Sequence, residues 1–160
     1  MSDYPTKSDP LDYPEDIKIE LLKSKVLIIH SKFNNKIVDL LLSNVENKLK
    51  KYGLSSFEKV AVPGAFEIPF VAHKFIKTGK FDAIICLGAI MRGETSHYDL
   101  ICKSVFESLS RLSISSDIPI INGILTTENE EQAIHLLSLQ KDVVYPIITK
   151  YNGNIIKEMG

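Results

Sequence analysis

Four short, mostly apolar runs rich in β-branched residues punctuate this chain, each followed by a segment in which apolar residues recur at helical spacing. The runs are Lys25–His30 (KVLIIH), Phe57–Val62 (FEKVAV), Phe81–Gly88 (FDAIICLG) and Ile118–Leu125 (IPIINGIL). A strand that is apolar along its length, rather than at alternate positions, has both faces covered. After the first run, Ile37, Leu40, Leu41, Val45 and Leu49 mark one face of a helix, with Asn34 or Asn35 suited to its N-cap. Lys48, Lys50 and Lys51 gather at its C-terminal end, where the helix dipole favours cations, and Gly53 closes it. Further helices are expected over about 65–77 and 98–113. A fourth follows Thr126, with a threonine cap and an acidic first turn, and ends near Leu139.

Parallel strands need crossovers of this length, and right-handed crossovers place helices on both faces of the sheet. The expected architecture is therefore α/β, a three-layer α/β/α sandwich of flavodoxin-like type with a central four-stranded parallel sheet. With 160 residues, 44% of them hydrophobic, the chain can bury one core without staples. Residues 1–16 (MSDYPTKSDPLDYPED) are acidic and carry three prolines, so they read as a flexible arm ahead of a single domain over 17–160. That arm lacks the apolar centre of a signal peptide, and no segment approaches the roughly 20 apolar residues of a membrane span. A net charge of −1 supplies no field for nucleic acid or an acidic membrane, so neither partner is expected. Cys86 and Cys102 lie in apolar stretches without metal-ligand spacing, the pattern of reduced, packed thiols in the cytoplasm.

In such sheets ligands sit beyond the carboxyl ends of the strands. That rule selects the loops at 31–35, 63–67, 88–97 and 122–128. Gly93-Glu94-Thr95 stands just before a helix start, where free N–H groups and the dipole hold an anion; a plain glycine turn capped by Thr95 or Ser96 would look the same. His97 follows two residues later, either as a proton donor and acceptor or as a structural histidine. Phe33 offers a platform for a planar ring or a packing contact over the helix cap. Glu67, in Pro63-Gly64-Ala65-Phe66-Glu67, taken singly is a first-turn helix acid. Arg92 suits a phosphate or an acidic partner. His30, His73 and His135 share no spacing, and no Ser-His-Asp order, Walker lysine, GxGxxG or CxxC pair occurs. The set fits a planar heterocycle beside a phosphate, with modest proton transfer, no metal and no cofactor.

Four segments then stand out together: SKFNNKIVDLLL at 31–42, VPGAFEIPF at 62–70, LGAIMRGETSHYD at 87–99 and IPIINGILTTENEEQAI at 118–134. On these, in this order, the chain resembles the lumazine synthase (6,7-dimethyl-8-ribityllumazine synthase) family. The resemblance implies a transferase of riboflavin biosynthesis that condenses 5-amino-6-ribitylaminouracil with 3,4-dihydroxy-2-butanone 4-phosphate, releasing phosphate and water. Carried over by position, Phe33 stacks on the pyrimidine, with Asn34 beside it among the substrate-binding residues. Ala65, Phe66 and Glu67 bind the ribityl chain. Backbone groups of Ala89, Ile90 and Met91 line the pyrimidine pocket, Glu94 and Thr95 hold the phosphate, and His97 transfers protons. The resemblance also implies a homopentamer with sites between subunits, in a family whose pentamers can build a sixty-subunit shell, and an N-terminal arm lying on a neighbouring subunit.

Two positions depart from the pattern. Asn122 precedes Gly123 in the substrate pocket, where the family usually has an aromatic. Leu136 stands where a phosphate-binding arginine follows the EQAI-type run, and no arginine occurs after Arg111. The usual Gly- and Lys-rich tail is replaced by residues 137–160. Losing one charge-assisted phosphate contact costs about 1.5–3 kcal/mol. A second expectation follows: a weakened or inactive family member that binds a flavin or lumazine, or serves as an assembly scaffold.

Overall fold

A computed structural model describes residues 23–54 and 56–139; the expected arm at 1–16 and the atypical tail from residue 140 onward lie outside the described residues. Strand β1 is Val26–Ser31, helix α1 Asn35–Lys51, β2 Phe57–Val62, α2 Ile68–Ile76, β3 Ala83–Met91, α3 His97–Ser115, β4 Ile120–Thr127 and α4 Glu130–Leu139. A 3-10 turn, Ala65–Glu67, precedes α2. The strands form one sheet in the order β2-β1-β3-β4, and every pairing is parallel. The expected α/β/α sandwich with a four-stranded parallel sheet is the observed fold.

Period-two alternation along β1 divides the core between the two faces. Leu27 and Ile29 join Ile84, Cys86, Ala72, Val105 and Leu109 under α2 and α3. Val26 and Ile28 join Ile85, Leu87, Ile37, Val38, Leu41, Ala133 and Leu137 under α1 and α4. Leu27, Ile28 and Ile29 are wholly buried, which explains a strand with no polar alternation. Helix α1 ends as its sequence suggests: Gly53 takes φ 81°, and the N–H groups of Gly53 and Leu54 bond to the carbonyls of Lys50 and Leu49.

Several boundaries differ from expectation, each for a local reason. β3 starts at Ala83, not Phe81, and continues through Met91, past Gly88. Phe81 is buried ahead of the strand, edge-on to Phe75 at 5.7 Å, so its hydrophobicity serves packing. β4 starts at Ile120, after Pro119, which has no N–H to give a ladder; the Pro119 carbonyl instead accepts from Ile84. The helix expected from residue 65 opens as a 3-10 turn because Pro69 cannot donate to the Ala65 carbonyl, and the Ile68 N–H takes that acceptor. The cap of α4 is Asn129, whose side chain accepts from the Gln132 N–H at 2.8 Å, and not a threonine. Thr126 and Thr127 belong to β4, and the Thr127 hydroxyl donates to the Asn129 carbonyl.

Candidate active site at the carboxyl edge of the sheet

The chain crosses from β1 to β2 on one side and reaches β3 on the other, so the strand order reverses between β1 and β3. A crevice opens there at the carboxyl ends. β1 ends at Ser31, whereas β3 runs three residues past Gly88, so Ala89–Met91 pair with Leu125–Thr127 of β4 and have no β1 residue beside them. Alternate peptides of β3 turn to opposite neighbours. Those of Ile84 and Arg92 bond toward β4, so those of Ala89 and Met91 face the gap beyond β1. The side chain of Asn34 enters this gap, and its Nδ2 donates to the Ala89 carbonyl at 2.8 Å.

Asn34 is the N-cap of α1, but in an uncommon form. Its backbone is left-handed (φ 57°, ψ 43°), and its side chain makes no capping bond because the amide is engaged with Ala89. Phe33 is held just before it by the bond from its N–H to the Pro63 carbonyl at 3.0 Å, and Lys32 bonds likewise to Val62 at 2.8 Å. These bonds extend the β1–β2 ladder past the strands and bring the 31–35 and 63–67 loops side by side. The Phe33 ring is 70% exposed.

Gly88 is where three elements meet. A Cβ built there would lie 3.4 Å from Ile68 Cδ1 and Ser31 Oγ and 3.5 Å from Ala65 Cβ. Ala65 is thereby fixed against β3, while Phe66 is 58% exposed. Glu67 turns back on its own loop: its Oε2 accepts from the Gly64 N–H at 2.8 Å, closing a box over the 3-10 turn. Gly64 has extended φ and ψ, yet a Cβ there would stand 3.2 Å from that oxygen, so the carboxylate needs the glycine for space.

β3 then gives way to Arg92 and the turn Gly93–Ser96, all exposed, before α3 begins at His97. The Thr95 hydroxyl accepts from the His97 N–H at 3.4 Å, and the N-cap residue of α3 is Ser96, whose side chain makes no capping bond. Glu94, Thr95 and His97 are solvent-exposed. Arg92 is the most connected side chain of the edge. It donates through Nε to Glu128 and through both terminal nitrogens to Asp99, and its guanidinium lies 4.2 Å over the Tyr98 ring. Hydrogen bonds to Glu128 and then Asp99 raise its pKa further. Burial raises that of Tyr98, whose hydroxyl meets Thr126 and Cys102.

Phe33, Asn34, Ala65, Phe66, Glu67, Ala89, Ile90, Met91, Glu94, Thr95 and His97 thus all lie at the carboxyl edge of β1, β2 and β3. Asn122 does not. It is the third residue of the edge strand β4, paired with Cys86 and level with Ile29, and its Oδ1 accepts from the Ile124 N–H at 3.1 Å. Ala89, Ile90 and Met91 are strand residues, not loop residues. An open cleft of about 230 Å³ lies beside the end of β3, lined by Asn34, Asn35, Lys36, Ile37, Met91 and Glu130. Of the expected residues it takes in Asn34 and Met91 alone. The sequence left Arg92 between a phosphate and an acidic partner; the structure gives it two acids, Asp99 and Glu128, together with the Tyr98 ring, and RGETSHYD holds three of these four residues. Among the described residues no group of His, Cys, Asp or Glu could hold a metal, and no helix is long and apolar enough to cross a membrane.

The fold and its edge define a doubly wound α/β protein with a crevice at the β1–β3 switch point. The family model for 6,7-dimethyl-8-ribityllumazine synthase matches residues 23–142, which spans the four strands and four helices of the described residues. The chain belongs to that family.

Proposed function

We propose that this protein is a 6,7-dimethyl-8-ribityllumazine synthase, a transferase that condenses 5-amino-6-ribitylaminouracil with 3,4-dihydroxy-2-butanone 4-phosphate. The observation that carries this reading is the turn Gly93–Ser96 leading into His97 at the first position of α3, beside the Phe33, Glu67 and Ala89 side of the crevice. The exposed Phe33 ring stacks on the pyrimidine, the peptide edge of β3 at Ala89 and Met91, beyond the end of β1, reads its polar rim, and Glu67 accepts from ribityl hydroxyls. N–H groups at the start of α3, with the Thr95 hydroxyl, hold the phosphate.

The chemistry asks little more of the protein. The pyrimidine amine attacks the ketone carbonyl, and loss of water gives an imine. Removal of a proton from the adjacent carbon then expels phosphate as the C–O bond breaks. The second amine closes the ring with loss of another water. His97 carries protons between these steps, which typically contributes ~10²–10⁴-fold, and alignment of the two substrates supplies much of the rest.

Assembly completes the site in this reading. Phe66, Phe70 and Leu100 are all more than half exposed. Such apolar surface suits burial against further copies in a homopentamer, with each crevice closed by a neighbour. The two free thiols suit a cytoplasmic protein.

One observation favours a second reading, a weakened or non-catalytic binder. Leu136, on α4, replaces the arginine expected to grip phosphate. Steady-state formation of lumazine, followed by absorbance for wild type and Leu136→Arg, separates the two. The enzyme reading predicts turnover by wild type and a KM for the butanone phosphate that Leu136→Arg lowers roughly 10-fold or more. Rates equal to the spontaneous reaction for both proteins would leave the binding or scaffold role instead.

A further inference from the structure

The turn that carries Glu94, Thr95 and His97 is exposed along its length, so something must hold its shape. Arg92 starts this turn, and its side chain reaches across to the first helical residues beyond it. Its backbone N–H donates to the Thr127 carbonyl at 2.9 Å, anchoring the turn to the end of β4. Its Nη1 and Nη2 meet the two oxygens of Asp99 at 3.3 Å each, a bidentate contact. Its Nε lies 3.0 and 2.9 Å from the two oxygens of Glu128, just after β4. Its plane covers the Tyr98 ring, and the Tyr98 hydroxyl in turn reaches Thr126 of β4 and Cys102 of α3. The segment 92–99 is therefore closed into a loop by one guanidinium and fastened at two neighbouring residues, Thr127 at the end of β4 and Glu128 just beyond it.

We propose that Arg92 is a positioning residue for the phosphate turn and for His97. Tyr98 and Asp99 immediately follow His97, so holding both fixes the direction in which α3 starts and hence where the imidazole points. The same grip fixes the span of Gly93–Ser96. Planarity and five donors are what this role uses; a lysine offers a point charge that cannot meet Asp99 twice, reach Glu128 and cover Tyr98 at once. An isolated exposed ion pair contributes little, whereas a bidentate, stacked network converging on one loop sets geometry. Both carboxylates already occupy the guanidinium, so in this arrangement Arg92 serves the turn and is not itself a phosphate ligand.

The catalytic part of this inference rests on the proposed activity; the structural part does not, and the test reads both. Arg92→Gln, Arg92→Lys and Asp99→Asn are compared with wild type and with Arg111→Gln. Arg111 is the chain's other arginine, on α3, with a 4.0 Å contact to Glu107. Hydrogen exchange of the full-length, ligand-free protein is measured across residues 93–99, alongside kcat and KM for each substrate. In Arg92→Gln, exchange in 93–99 is expected to accelerate roughly tenfold while β1 and β3 stay protected. Its kcat is expected to fall roughly 10- to 100-fold with KM for the pyrimidine nearly unchanged, the effect of misplaced catalytic groups. Arg92→Lys and Asp99→Asn are expected to fall between these limits, and Arg111→Gln to match wild type.

Unchanged exchange in Arg92→Gln overturns the inference. So does lowered thermal stability with an unaltered kcat per folded protomer, which is a structural role alone. A raised KM for the butanone phosphate at constant kcat would make Arg92 a direct ligand and also refute it. If wild type forms no lumazine, the proposed function fails, and the clamp is then decided by exchange: acceleration upholds it and no change rejects it.

Discussion

Asn34 is the non-glycine residue with positive φ among the described residues, and its substitution separates backbone strain from side-chain bonding. Its φ of 57° is offset by the bond from Nδ2 to the Ala89 carbonyl at 2.8 Å. Alanine keeps the left-handed backbone at a cost of roughly 1–2 kcal/mol, a conformation asparagine adopts more readily. It also forfeits a hydrogen bond contributing about 1 kcal/mol. Asn34→Ala is therefore expected to lose about 2 kcal/mol. Asn34→Gly forfeits the same bond, but glycine adopts this conformation freely, so the loss should be about 0–1 kcal/mol. Urea unfolding at one protomer concentration measures both, since assembly would couple stability to concentration. In a thermal scan the alanine variant should melt about 4–8 °C lower. Equal losses for alanine and glycine would refute the strain argument, and two neutral variants would refute the bond as well. Because Asn34 directly follows Phe33, the account also expects the alanine variant to show a raised KM for the pyrimidine.

Gly64→Ala places a Cβ 3.2 Å from Glu67 Oε2 and should displace the carboxylate from the Gly64 N–H. Lumazine kinetics should show a KM for the ribitylaminopyrimidine raised by roughly 5- to 30-fold, with about 1–2 kcal/mol of contact at stake. Burial pushes the Cys86 thiol from an ordinary value of 9.0 up to about 12. A raised pKa keeps its contribution whole below pH 9 and removes it as pH rises toward 12, because the unfolded chain ionises first. Urea midpoints between pH 8 and 11 should therefore fall more steeply for wild type than for Cys86→Ala, and parallel curves would contradict the burial of this thiol.

The sheet was legible in the sequence chiefly because its central strands β1 and β3 are buried on both faces, so continuous apolar runs marked them without help from periodicity, whereas the edge strand β2 carries the exposed Glu58 and Lys59. Their ends were less legible. Phe81 is apolar for packing against Phe75 and not for the ladder, while Ala89–Met91 continue a strand past a glycine that looked like its end. The candidate residues other than Asn122 could be grouped from the sequence because each lies next to a strand end, where topology puts ligand loops. What holds them could not be read from spacing. Arg92 lies seven residues from Asp99 and thirty-six from Glu128, and Asn34 is fifty-five from Ala89. Such partners become neighbours only once parallel pairing brings β1, β3 and β4 into register. Asn34 had the composition of a cap, yet its amide is used across the crevice. The position of Asn122 on an edge strand, away from the other candidates, likewise follows from β4 starting two residues later than its apolar run.

The most direct test of the account is the saturating rate of lumazine formation by wild type and by His97→Ala at neutral pH. Loss of the proton-transfer group should lower kcat roughly 10²-fold or more while the KM values change little, because His97 acts on the reacting atoms and not on binding. A His97→Ala protein that turns over as fast as wild type would contradict the assignment of the α3 start as the place where protons move.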